Sequence, residues 1–110
     1  MIFTKTYRAA GILLLTRPTP DTPQHILLVE HNTKGLNLPC GKKEMTDLNN
    51  PIQTALREFC EETNNLLNPS QLESNITRAL WKNIWFDFES KSFFFVVEHD
   101  WIVDLDQKLR

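Results

Sequence analysis

Apolar positions in this chain follow two different spacings, and the change between them marks the elements. From Arg8 to Thr16 they run almost unbroken (Ala-Ala-Gly-Ile-Leu-Leu-Leu), which predicts a strand buried on both faces. His25–Glu30 repeats the solid apolar centre and predicts a second strand, after an Arg17–Gln24 loop that holds three of the six prolines. Lys34–Leu38 is short and extended, with Pro39 keeping the residue before it out of a helix. From Asn50 the period becomes helical: Ile52, Ala55, Leu56, Phe59 and Cys60 form one stripe. Asn50 suits the cap and Pro51 the first helical position, while Gln53 sits third, where a capping box takes Glu or Gln. Asn64 suits the left-handed cap at the far end. Ile76–Phe88 and Lys91–His99 then read as two aromatic strands joined at Glu89-Ser90, and Trp101–Arg110 begins a helical pattern without completing it. Strands, a helix and strands again predict a mixed sheet in a single α+β domain over residues 1–110.

Composition narrows the function classes. With 41% hydrophobic and 24% charged residues the chain is ordinary globular material with one modest core. A net charge of −2 argues against an extended nucleic-acid surface, yet leaves room for a small phosphate-bearing ligand held locally. The apolar runs Ile12–Leu15 and Phe93–Val97 are too short to cross a bilayer, so no membrane partner is expected. The N-terminus lacks a signal-peptide pattern, which predicts a cytoplasmic or nuclear home. Cys40 and Cys60 fit that compartment as free thiols; they lie too far apart, without a His pair, to suggest zinc.

The chemistry gathers on the predicted helix. Glu58, Glu61 and Glu62 stand at i, i+3 and i+4, roughly opposite the apolar stripe. Carboxylates so placed repel one another, and a hard divalent cation such as Mg²⁺ or Mn²⁺ would remove that cost. By itself the pattern reads more simply as a solvated face with Arg57 as counter-charge. What changes the weighing is the Leu-Pro-Cys-Gly-Lys turn ahead of the helix.

Turn and helix together resemble the Nudix box, Gx5Ex7REUxEExGU with U an aliphatic residue. Here it runs from Gly41 to Asp47, then nine residues, then Arg57-Glu58-Phe59-Cys60-Glu61-Glu62-Thr63-Asn64-Asn65. The Ala-Ala-Gly and Leu-Leu-Val-Glu strands ahead of it are similar to the family's approach to the box. Asp47 stands where the pattern has Glu, the following loop is longer, Asn64 replaces Gly, and Asn65 replaces an aliphatic residue for no reason visible in the sequence. The resemblance implies a mixed sheet in an α/β/α sandwich, its C-terminal helix missing or unfinished. A fragment, a diverged minimal form and a homodimer that covers the gap all stay open.

The resemblance further implies metal-dependent hydrolysis of a pyrophosphate bond in a nucleoside diphosphate linked to another group. It assigns Glu58, Glu61 and Glu62, with the Cys40 carbonyl, to the metal. Glu61 or Glu62 would also orient the attacking water, and Arg57 would orient a glutamate. Gly41 and Lys42 would meet the phosphates. Trp81, at the distance past the box where one branch places a base-holding aromatic, is the candidate for stacking. That branch, hydrolases of diadenosine polyphosphates, is the first choice of substrate class. mRNA-cap and nucleoside triphosphate pyrophosphohydrolases are the rivals within the family. A Nudix-fold module that binds a nucleotide or protein without catalysis is the rival outside it.

Overall fold

In the computed structural model, residues 6–31, 35–78 and 83–101 are described. The centre is β1 (Ala9–Thr16), which pairs on both sides. Along one edge it runs parallel to β7 (Ser92–Glu98), from Ala9 opposite Ser92 to Leu15 opposite Glu98. Along the other it takes β5 (Cys40–Lys42) against its first half and β2 (His25–Ile26) against its last two residues, both antiparallel. β6 (Ile84–Asp87) closes the far edge against β7. β3 (Val29–His31) and β4 (Gly35–Asn37) form a separate hairpin. The mixed sheet and α+β class therefore stand as expected. The second strand does not run unbroken from His25 to Glu30: it divides at Leu27-Leu28 between β1 and the hairpin.

Among the described residues, two helices lie on one face of the sheet. α1 (Pro51–Glu62) starts as its residues predict, with the Asn50 side chain accepting the Ile52 N–H at 3.0 Å. Gln53 does not close a capping box; its amide crosses to Glu73 at 2.7 Å and ties α1 to α2. Ile52, Ala55, Leu56 and Phe59 pack on Ala10, Ile12, Leu14, Phe93, Phe95 and Val97. Cys60 is only half-buried, at the edge of that stripe. After Thr63, both Asn64 and Asn65 adopt left-handed conformations (φ 54° and 59°), and Asn65 N–H returns to Cys60 O at 2.8 Å. Asn tolerates that region far better than an aliphatic residue, which accounts for Asn65.

The main correction falls after α1. Ile76 does not begin a strand; it ends the buried side of α2 (Pro69–Arg78). Asn68 accepts N–H bonds from Ser70 and Gln71, Pro69 takes the first helical position, and Leu72 and Ile76 point inward one turn apart. The expected sandwich thus appears, among the described residues, as two layers. The C-terminal pattern after Trp101 lies outside them.

Gly11 lets β5 approach: a Cβ there would stand 2.6 Å from Pro39 O and 2.3 Å from Cys40 Cβ. Close seating of β5 on β1 is what brings Cys40 and Gly41 beneath α1.

Candidate active site

The site forms where β5, a 3₁₀ turn (Met45–Asp47) and the second half of α1 meet. Gly41 lies directly under Glu58. A Cβ on Gly41 would fall 2.2 Å from the Glu58 carboxyl carbon, so only glycine leaves that carboxylate its place. One turn on, Glu62 accepts the Cys40 backbone N–H at 3.0 Å. Glu61 faces solvent, its side chain 59% exposed.

Arg57 organises these groups. Its Nη1 lies 2.8 Å from Glu58, 3.5 Å from Glu61 and 3.5 Å from Glu44, while Nη2 donates to Lys42 O at 2.9 Å. The other edge of the guanidinium is gripped by Asp47: Nε to Oδ1 at 3.0 Å and Nη2 to Oδ2 at 3.0 Å. This two-point clamp uses the planar fork that lysine lacks. Asp47 is 3% exposed and also accepts the Glu44 N–H and the Thr54 hydroxyl. Its hydrogen bonds from Arg57 outweigh burial and hold its pKa down at about 2. The same contacts push Arg57 further above its already high value. Asp47 is thus the anchor of Arg57, and its oxygens are spoken for.

Repulsion among the acids therefore has an internal remedy, because Glu58 and Glu61 share one guanidinium nitrogen with Glu44 while Glu62 accepts the Cys40 N–H. Among the described residues, no three His, Cys, Asp or Glu side chains are arranged around a metal position. The donors nevertheless fit a hard divalent ion in kind. They are carboxylate oxygens on consecutive turns of one helix face, above a glycine that keeps Glu58 unobstructed. The longer loop before Arg57 is absorbed by Leu48 and Asn49, both left-handed (φ 55° and 56°), which turn the chain back so that Asn50 can cap α1.

Lys42 is exposed and meets Arg57 through its backbone carbonyl, whereas the Lys43 side chain reaches toward Asn49 and over the Tyr7 ring. Cys60 has its thiol pKa raised, by burial and then by Glu61. Trp81 lies outside the described residues. A family model, the NUDIX domain, matches residues 5–108. The chain belongs to the NUDIX family. No curated protein and no solved structure matches it. Within the NUDIX box, then, Gly41, Arg57, Glu58, Glu61 and Glu62 come together around β5 and α1.

Two contributors escape a reading of the box alone: Thr54 and Tyr7. Thr54 is the one polar side chain on the buried side of α1 between Ile52 and Leu56, and that misfit in the stripe is the available signal.

Proposed function

We propose that this NUDIX domain is a hydrolase that cleaves a pyrophosphate bond in a small nucleotide-derived substrate, with a dinucleoside polyphosphate as the first choice. The observation that carries the reading is the Glu58–Arg57–Asp47 clamp over Gly41, which orients a box glutamate in a place only glycine leaves open. Glu58, Glu61 and Glu62, with the Cys40 carbonyl, would hold Mg²⁺ or Mn²⁺, and the ion would neutralise phosphate charge during transfer. Arg57 holds Glu58 in one orientation and shields the acids from one another. Glu61, the most exposed of the three, is placed to orient a water molecule. Lys42, next to Gly41 on β5, is the candidate for a phosphate contact.

The binding-module reading is favoured by one observation. Arg57 already meets Glu58 and Glu61, besides Glu44 and Asp47, and Cys40 N–H meets Glu62, so the cluster can exist without an ion. The two readings separate in one experiment: incubation with Mg²⁺ or Mn²⁺ and a panel of dinucleoside polyphosphates, capped dinucleotide, ADP-ribose and nucleoside triphosphates. A hydrolase cleaves at least one, and Glu61→Gln and Glu62→Gln abolish turnover with the fold intact by circular dichroism. Binding without cleavage of any substrate establishes the module instead.

A further inference from the structure

A chain of buried hydroxyls leads from the core to the site, starting outside the box. Tyr7 is 2% exposed and Thr54 fully buried. The Tyr7 hydroxyl lies 2.9 Å from Thr54 Oγ1, and Thr54 Oγ1 donates to Asp47 Oδ2 at 2.8 Å. With its own proton given to Asp47, Thr54 can only accept from Tyr7, so the polarity of the chain is set. It then continues through the Asp47 clamp to Arg57 and from Arg57 to Glu58.

We propose that Tyr7 and Thr54 are positioning residues for the acid site, a relay of hydroxyls that fixes Asp47 and through it the orientation of Arg57 and Glu58. Two features favour this over simple core filling. Thr54 sits inside a helix, where a threonine hydroxyl has an alternative acceptor in the carbonyl four residues earlier, that of Asn50. A donor at Tyr7 holds it instead in the rotamer that serves Asp47, and bonds in series strengthen one another in a dry interior. Tyr7 also touches the other limb of the site. Its ring lies 5.0 Å below the Lys43 ammonium, and Lys43 N–H bonds to Arg8 O, next to Tyr7, at 3.0 Å. One aromatic thus braces both the Asp47 turn and the strand that carries Gly41 and Lys42. An edge contact with Phe93 keeps the ring in place.

As a statement about catalysis the proposal rests on the hydrolase reading, so the test includes a readout that does not. The Arg57 Nε–H resonance, assigned by its loss in Arg57→Lys, reports the clamp through its exchange with water. In Tyr7→Phe and Thr54→Val that exchange speeds up, while in Thr54→Ser, which keeps the hydroxyl, it stays near the wild-type rate. On the substrate found by the panel, Tyr7→Phe and Thr54→Val each lower kcat by roughly 10-fold, the usual cost of losing an outer-shell partner, with little change in KM. Because the two groups act in series, the double variant is no slower than the slower single one. Unchanged Arg57 exchange in Tyr7→Phe overturns the relay, as does a fall in melting temperature with kcat of the folded protein unaltered. Should Thr54→Val fail to fold, Tyr7→Phe and Thr54→Ser decide alone. A wild-type protein that cleaves nothing overturns the hydrolase reading, and the exchange measurement still judges the relay.

Discussion

Gly41 and Asp47 carry more of the site than their size suggests. The clash awaiting a Cβ at Gly41 is with the end of a flexible side chain, so Gly41→Ala costs little stability and instead displaces the Glu58 carboxylate. The expected result is an unchanged melting temperature with weakened Mn²⁺ binding by electron paramagnetic resonance. Asp47 makes a prediction in pH. Its pKa falls from 3.8 to about 2 on folding, mainly through Arg57, so the unfolded chain binds the proton more readily. The resulting stability, on the order of 2 kcal/mol, is complete above about pH 4 and disappears as pH falls toward 2. Urea midpoints of wild type and Asp47→Asn should accordingly converge over that window; a constant gap would mean that the carboxylate is not stabilised as described. The acids of the box were legible because like charges at i, i+3 and i+4 need a partner. Arg57 was legible too, as their counter-charge and as the group that would orient a glutamate; its anchoring by a buried Asp47 was not, because spacing along a chain says nothing of which side chain grips the far edge of a guanidinium.

At the scale of elements, α1 was readable end to end because its cap, its first proline and its stripe agree. α2 begins with the same Asn-Pro pair, yet its mostly polar surface offers only Leu72 and Ile76 as a periodic signal, and the aromatic run beyond drew the boundary of the strand too early. The turn between site and helix carries backbone strain. Leu48 holds φ 55° with its side chain 85% exposed, so the conformation costs energy and no packing repays it. Leu48→Gly should therefore raise stability by roughly 0.5–1 kcal/mol, read as a melting temperature a few degrees higher. A lower melting temperature would show that the leucine contributes contacts at this turn.

Across the described residues, the helices and the sheet share a single core, and Phe59 and Phe95 are its largest fully buried side chains. Phe59→Ala should cost about 3–5 kcal/mol, a large share of the roughly 5–15 kcal/mol a domain of this kind commands, and should lower the urea midpoint accordingly. Retention of the midpoint would mean that the core collapses freely around the gap.

The pairing of β1 with β7 also bears on how the protein comes to be made. Strands near opposite ends of the chain lie side by side over seven matched pairs, from Ala9 with Ser92 to Leu15 with Glu98. Such non-local closure is slow, since the entropy of a long loop is spent before any contact repays the wait. On the ribosome, the greasy Ile12–Leu15 segment must remain without its neighbour until Ser92–Glu98 has been synthesised, so a nascent chain stalled earlier should be a client for chaperones.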